Sequence, residues 1–196
     1  MVFCLVIFYT WFMNEANKRG PYIVKDHKIV YQNPWTTFYE DSVVRPDGKD
    51  GIWGIANVGP GTAILALDKN RNVYLANGYM YANDKEMLVL PGGKRDEGES
   101  SLDCAKRELE EELGLQSEEW VHLGSYHVYP AIIEDETNIY LALNATEHTA
   151  SDPDGENFTI KKIPLSKAVT MVMNGDIHHA MAAQAIMQAC YYFQKN

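Results

Sequence analysis

Alternating apolar and polar residues mark a first group of predicted strands near the start of the chain. Four stretches are rich in β-branched and aromatic residues and alternate with a period of two, which predicts β-strands. A Pro-Asp-Gly sequence at residues 46–48 has the composition of a turn. The four stretches cover residues 23–24, 27–31, 36–44 and 51–55. The pattern therefore predicts a small antiparallel sheet over residues 22–58.

A second group of predicted elements follows the Gly-Pro-Gly sequence at residues 59–61. Apolar runs of strand length, with a hairpin turn at residues 68–72, alternate here with stretches of helical period. Residues 146–156 are polar and are expected to form a loop, and Asp176 is expected to cap the final helix. The strands are predicted at residues 62–67, 73–76, 87–90, 120–129, 139–143 and 158–163, and two late helices at residues 165–173 and 176–194.

Between these strands lies an acidic helix flanked by glycines. The Pro-Gly-Gly sequence at residues 91–93 predicts a tight turn that brings bare backbone close to a ligand, because glycine has no side chain. Ser100 or Ser101 can cap the helix, leucines give it an apolar stripe, and Gly114 is expected to end it. Residues 88–115 thus predict a strand, a glycine turn, an acidic helix and a glycine stop.

Three carboxylates of this helix share one face. Glu108, Glu111 and Glu112 are spaced i, i+3, i+4, so their side chains project in the same direction. Like charges that close repel and raise one another's pKa unless a cation lies among them. Hard divalent cations prefer oxygen ligands. The cluster therefore predicts a site for Mg²⁺, with Mn²⁺ as the alternative.

Composition limits the partners and the compartment. The 196 residues include 17 Lys and Arg against 27 Asp and Glu, a formal net charge of −10, which argues against nucleic acid as a partner. An anionic substrate must then be held by metal and a few local arginines. Cys4, Cys104 and Cys190 are far apart and odd in number, which suggests neither a disulfide framework nor a zinc site and indicates a reducing, cytoplasmic location.

The first twelve residues, MVFCLVIFYTWF, are almost wholly apolar. They are too few to span a bilayer and lack a basic start, so no stable membrane association is expected. A polar stretch follows Met13 at once, and one interpretation is that translation begins at Met13. An interfacial anchor and a buried or disordered extension are the alternatives.

The glycine turn and acidic helix together resemble the signature of the Nudix hydrolases. From Gly93 to Leu115 the chain has a glycine, a glutamate six residues later, then Arg-Glu-Leu, Glu-Glu and Gly-Leu at the fixed positions of that signature. The resemblance implies an α/β fold, the Nudix α/β/α sandwich with a mixed sheet, here preceded by the small antiparallel β-sheet. We therefore expect an N-terminal extension at residues 1–21, a β-sheet region at 22–58 and a Nudix hydrolase domain at 59–196.

The resemblance also implies the reaction and the roles of single residues. In this family, metal ions polarise a diphosphate and activate the water that attacks phosphorus. The implied metal ligands are the backbone carbonyl of Gly92 and the side chains of Glu108, Glu111 and Glu112. The implied structural supports are Gly93 and the paired side chains of Glu99 and Arg107.

Features outside the signature resemble the ADP-ribose and nucleotide-sugar pyrophosphatase branch. They are the N-terminal sheet, Pro130 sixteen residues after Gly114, and the sequence at residues 175–177. The implied activity is hydrolysis of ADP-ribose or another nucleoside diphosphate sugar to a nucleoside monophosphate and a sugar phosphate. The branch often has an arginine where this chain has residues 79–81 and a glycine where it has Ala131, so GDP-mannose or a broader set of nucleotide sugars stays an alternative. A non-hydrolysing nucleotide-sensing module is the alternative from another class.

Five residues are candidates for contact with the substrate. Trp35 and Trp53 on the N-terminal sheet could stack on a nucleobase, and core or dimer-interface packing is the alternative explanation. Arg45 and Arg95 could contact phosphate. Pro130 is included because it matches a position of the branch.

The general base is expected on the loop after Pro130. Glu134 and Glu136 are both candidates, and Glu136 is slightly favoured. If neither serves, Glu111 or Glu112 of the signature must take the role.

The N-terminal sheet also bears on assembly. A sheet of about four short strands cannot bury its own apolar face. The resemblance implies a homodimer with shared active sites, in which the sheet of one chain reaches the active site of the other.

Overall fold

The computed structural model describes residues 17–148 and 158–195, which form two compact units. The smaller unit contains the described residues up to Val58 together with Tyr129–Asp135. The larger unit contains Gly59–Val128 and the described residues from Glu136 onward. The predictions for residues 1–12, and for residues 149–156 of the expected polar loop, lie outside the described residues.

The described residues form thirteen strands and three α-helices. A single 3₁₀ turn at Tyr81–Asn83 separates β6 from β7. In chain order the strands are β1 (Lys18–Arg19), β2 (Tyr22–Gln32), β3 (Thr37–Val44), β4 (Asp50–Asn57), β5 (Gly61–Leu67), β6 (Asn72–Met80), β7 (Lys85–Val89), β8 (Leu115–Gln116), β9 (Glu119–Tyr126), β10 (Ile133–Glu134), β11 (Thr137–Leu143), β12 (Thr146–Glu147) and β13 (Thr159–Pro164), and the helices are α1 (Ser101–Leu113), α2 (Leu165–Asn174) and α3 (Ala180–Lys195).

The smaller unit is one five-stranded sheet in the order β1-β2-β3-β4-β10. Its first four strands pair antiparallel, as predicted for this sheet, but the strands predicted at residues 23–24 and 27–31 are one strand, β2, and β1 was not predicted. The fifth strand, β10, was not predicted and comes from residues far along the chain. It pairs parallel to β4, with Ile133 opposite Ala56 and Glu134 opposite Asn57.

The larger unit is a sheet with helices on both faces. The order is β13-β6-β5-β11-β9, with β7 also paired to β6, and β11 runs parallel to β5 while its other pairing is antiparallel. Successive residues of a strand face opposite sides, so Ile64 and Ala66 pack in the core that holds α1, whereas Leu65 and Leu67 pack in the core that holds α2 and α3. The predicted α/β/α sandwich with a mixed sheet is confirmed.

The ends of the acidic helix are as predicted. Ser100 is the N-cap, and its hydroxyl accepts the backbone N–H of Asp103 at 3.1 Å. Gly114 ends the helix in the left-handed conformation, with φ 58°. Both signals are local in sequence, which is why they could be found without tertiary information.

The predicted end of one strand and the predicted start of the last helix were wrong, and Thr146–Glu147 of the expected polar loop form β12. The strand predicted at residues 120–129 ends at Tyr126, because the chain then turns and the carbonyl of Tyr129 accepts the N–H groups of Ile132 and Ile133. Asp176 does not cap the last helix, which begins only at Ala180. Its own N–H instead bonds to the carbonyl of Met171 at the end of α2. Within the described ranges, no helix is both long and apolar enough to cross a membrane.

Candidate active site

The glycine turn between β7 and α1 is closed on both sides by close contacts. The N–H of Gly92 donates to Glu112 Oε2 at 3.3 Å, and the carbonyl of Gly93 accepts the N–H of Thr62 at 2.9 Å. A Cβ atom at Gly92 would lie 2.1 Å from the Thr62 carbonyl oxygen, and one at Gly93 only 2.3 Å from Glu108 Oε1. Both positions therefore need glycine.

The guanidinium of Arg107 lies among the carboxylates of the turn and helix. Its Nη1 donates to Glu108 at 2.7 Å and to Glu111 at 3.1 Å, and its Nε donates to Glu99 at 3.0 Å. The hydrogen bonds from Arg107 lower the pKa of Glu99 to about 2, despite partial burial. Burial raises the pKa of Glu108 above its ordinary value, although Arg107 opposes that effect. Arg107 thus joins the last residues of the loop, at Glu99, to the helix.

The donor set fits a hard divalent cation by its chemistry. Glu108 and Glu112 lie against the two glycines of the turn, Glu111 is on the same helix face, and all the available donors are carboxylate or backbone oxygens. In the described parts of the chain no three His, Cys, Asp or Glu side chains are arranged as a metal cage. Here Arg107 neutralises Glu108 and Glu111 instead.

Cys104, in the first turn of α1, packs against the glycine turn, a role that the sequence analysis did not predict. The thiol is buried, lies 3.3 Å from Thr62 Oγ1, and can donate to the carbonyl of Lys94 at 3.7 Å. Burial raises its pKa to about 11, so it stays a neutral thiol. Its place three residues before Arg107 on the helix was the available signal.

Arg95 lies on the loop between the turn and the helix. Its backbone N–H donates to the carbonyl of Pro60 at 3.0 Å. Its side chain lines a surface hollow of about 630 Å³ together with Lys94, Glu99 and Ser100. The hollow directly adjoins Glu99, the partner of Arg107.

The two candidate bases fall in different units. Glu134 is in the smaller unit, where Arg19 and Asn57 donate to its two carboxylate oxygens at 2.9 and 2.8 Å. Glu136 is in the larger unit, where its side chain is exposed and its carbonyl accepts the N–H of Gly61 at 3.0 Å. Pro130 is an exposed residue of the turn that precedes them.

The remaining candidates lie in the smaller unit. Trp35 is in the turn before β3, and 73% of its surface is exposed. Trp53 lies on β4 opposite Asp41, with its ring packed edge to face on Tyr22. Asp41 is four residues from Thr37 along β3, about 13 Å, and Trp35 precedes Thr37 by two residues, so the two tryptophans are not adjacent along β3 within one chain. Arg45, at the end of β3, is exposed and pairs with Asp47 at 3.5 Å.

Two family models match the chain. The NUDIX domain matches residues 58–182, and the nucleoside diphosphate sugar hydrolase N-terminal domain matches residues 24–56. Together they span both described units.

Three curated relatives show what the chain is similar to. An ADP-ribose pyrophosphatase of Mycobacterium tuberculosis is 29% identical over 64% of this chain, and the match spans 62% of that relative's length. An ADP-ribose pyrophosphatase of Bacillus subtilis is 23% identical, with 76% of this chain and 81% of the relative covered. The methanol dehydrogenase activator of Bacillus methanolicus is 24% identical, with 74% and 80% covered.

Among solved structures, an ADP compounds hydrolase superposes with a TM-score of 0.80. The superposition covers 91% of this chain and 97% of that one at 16% sequence identity. At that identity the likeness establishes the shared fold.

Proposed function

The chain belongs to the NUDIX family, and from that premise we propose that it is a metal-dependent diphosphohydrolase acting on ADP-ribose or a related ADP-sugar. The reaction splits the diphosphate into AMP and a sugar phosphate. One observation carries the proposal: Glu108 and Glu112 meet the glycine turn, with Glu111 beside them on the same helix face. The similarity to two ADP-ribose pyrophosphatases supports the choice of substrate.

The proposed metal ligands are the Gly92 carbonyl and the carboxylates of Glu108, Glu111 and Glu112, and Mg²⁺ is the proposed ion. A bound divalent cation would polarise the phosphate oxygens and lower the pKa of a bound water. The protein's part is to hold the carboxylates: Arg107 with Glu99 fixes the loop against α1, and Gly93 leaves room for Glu108.

We assign the general base to Glu136. Its carbonyl bonds to Gly61, while the carbonyl of Gly93 bonds to the next residue, Thr62. Successive N–H groups of a strand point to opposite sides, so the backbones of Glu136 and Gly93 flank β5 about 10 Å apart. A glutamate side chain and one water span that distance. The carboxylate of Glu136 would take the proton of the attacking water, while the bridging oxygen leaves with the other phosphate.

Substrate contacts and assembly extend the same proposal. Arg95 and Arg45 are proposed to contact the phosphates, and Trp35 and Trp53 to hold the base across a homodimer with shared active sites. Pro130 is proposed to shape the loop next to the sugar. A cytoplasmic, reducing location is proposed as well, and the free thiols of Cys104 and Cys190 are compatible with it.

A substrate panel tests the function. Purified protein is incubated with ADP-ribose, ADP-glucose, GDP-mannose and NADH, with Mg²⁺, Mn²⁺ or EDTA, and the released monophosphate is measured. We expect the highest kcat/KM for an ADP-sugar, none in EDTA, and a loss of at least about a hundredfold in kcat for Glu112→Gln. A higher kcat/KM for GDP-mannose than for the ADP-sugars would favour the alternative, in which the substrate is GDP-mannose or a broader set of nucleotide sugars. No hydrolysis of any substrate, or full activity of Glu112→Gln, would overturn the proposal.

A further inference from the structure

The loop that carries Glu136 is built into the smaller unit just before that residue. Ile133 and Glu134 pair with β4, and the carbonyl of Ile132 accepts the N–H of Ala56 at 2.8 Å. The chain then passes into the larger unit between Asp135 and Glu136. Whatever fixes Glu134 therefore fixes the chain two residues before the proposed base.

The carboxylate of Glu134 has a donor on each oxygen. Arg19 Nη2 donates to Oε1 at 2.9 Å, and Asn57 Nδ2 donates to Oε2 at 2.8 Å. Ionised partners make such bonds stronger than neutral ones. Arg19 comes from β1, 115 residues earlier in the chain. With both oxygens engaged, Glu134 is poorly placed to accept a proton from water.

Arg19 is itself oriented by a buried carboxylate. Its Nη1 donates to Asp41 Oδ2 at 3.4 Å, and Asp41 is only 2% exposed. The other oxygen of Asp41 bonds to His27 Nδ1 at 2.5 Å, and the His27 ring stacks on Tyr39. A buried carboxylate needs partners of this kind. The guanidinium of Arg19 therefore bridges a carboxylate fixed in the sheet and a carboxylate on the loop.

We propose that Arg19 is a positioning residue, which bridges buried Asp41 to Glu134 and so sets the position of the loop that delivers Glu136. Two residues of chain reach at most about 7 Å, so anchoring Glu134 restricts where the Glu136 carboxylate can lie. The loop is then already ordered in the folded protein, so the entropy cost of ordering it does not add to the barrier of each turnover. Small displacements of a reacting group lower the rate far more than the affinity. This inference rests on the proposed function, because it needs a catalytic base on the loop.

The test compares Arg19→Gln, Glu134→Gln and the double variant with Lys25→Gln. Lys25 is the matched control, because it makes an exposed ion pair with Asp50 at 2.7 Å within the same sheet but does not contact the loop. We expect each single variant to lower kcat for the best substrate about tenfold, with KM within about twofold. The double variant should lose no more kcat than the more impaired single variant, because both substitutions remove the same contact between Arg19 and Glu134. Lys25→Gln should match the wild type.

A second measurement does not depend on activity. Hydrogen exchange at residues 132–136 should be faster in Arg19→Gln than in Lys25→Gln, while exchange in β11 stays the same. If exchange is unchanged, or if the single variants keep wild-type kcat while the wild type is active, the positioning role is refuted and the proposed function stands. If the two losses multiply in the double variant, the residues act separately and the bridge is also refuted. A wild type that hydrolyses nothing overturns the proposed function, and this inference with it.

Discussion

Gly93 shows how a single missing side chain makes room for the site. A Cβ atom there would lie 2.3 Å from Oε1 and 2.6 Å from Cδ of Glu108, far inside van der Waals contact. Glu108 cannot retreat easily, because it is buried and bonded to Arg107. The position of this carboxylate therefore depends on Gly93 being glycine.

We expect Gly93→Ala to displace Glu108 and to weaken both Mn²⁺ affinity and kcat by about ten- to a hundredfold. Calorimetric titration with Mn²⁺ and steady-state kinetics measure the two effects. Gly54→Ala is the control, because a Cβ atom at Gly54 of β4 meets nothing within 4 Å. Unchanged Mn²⁺ affinity in a folded Gly93→Ala protein would show that Glu108 is not a ligand.

The site's residues differ in how far the sequence could reveal them. Glu108, Glu111 and Glu112 were proposed from helical spacing, which depends on neighbours one turn apart. The contacts of Arg107 with Glu99, Glu108 and Glu111 also join residues that are close in sequence, so they could be anticipated in part. Arg19 could not be connected to Glu134, because a contact across 115 residues leaves no mark in one sequence.

At the level of elements, the ends of α1 could be predicted from the sequence, whereas the start of α3 could not. The cap Ser100 and the stop Gly114 lie within one turn of the ends that they define. Asp176 has the right residue type for a cap, but its N–H completes the end of α2, and Ile177 is buried in the core before the last helix begins. Tertiary burial overrode the local preference. β10 escaped prediction for a related reason, since two residues carry no periodicity.

His179 links the start of α3 to the strand that leads into the glycine turn. Its Nδ1 accepts the backbone N–H of Leu90 at 3.3 Å. Burial lowers the pKa of His179 below its ordinary value of 6.5, because the charged form loses hydration. The unfolded chain then binds the proton more readily than the folded one. The contribution of His179 to the free energy of unfolding is therefore complete above pH 6.5. It decreases as the pH drops below 6.5 and stops decreasing below the pKa of His179 in the folded protein.

We predict that His179→Asn reduces this acid sensitivity, because an asparagine oxygen can accept the same N–H without titrating. Urea midpoints at pH 8 and pH 5 are compared for the wild type and the variant. The other histidines are common to both proteins, so the difference reports on His179. Equal losses of stability between the two pH values would contradict the assignment.

At the scale of the whole molecule, the smaller unit exposes a large apolar surface. Ile29, Val30 and Tyr31 of β2 are each more than half exposed, as are Trp35 and Ile52. Val30 lies between Ile29 and Tyr31 at a register shift where β2 pairs with β3. Large contiguous apolar patches on soluble chains usually mark interaction sites. A second copy of the chain is the expected partner.

We predict a homodimer whose active sites are shared. Light scattering should give twice the 22.2 kDa of one chain, and an active species of single-chain mass would refute the dimer. Trp35→Ala should raise KM much more than it lowers kcat, because stacking on the base is equal in the ground and transition states. Tyr191→Ala, which truncates an exposed aromatic near the end of α3 in the larger unit, is the control.

Mixing Trp35→Ala chains with Glu112→Gln chains tests the sharing. If Trp35 of one chain serves the carboxylates of the other, each mixed dimer contains one site with both residues intact, and one site with neither. Such dimers should hydrolyse the substrate with the wild-type KM at about half the wild-type rate per dimer, because that single complete site does all the work. If each chain instead builds its own site, the mixed dimer has one site without Trp35 and one without Glu112. Its activity would then keep the raised KM of Trp35→Ala, and the shared arrangement would be wrong.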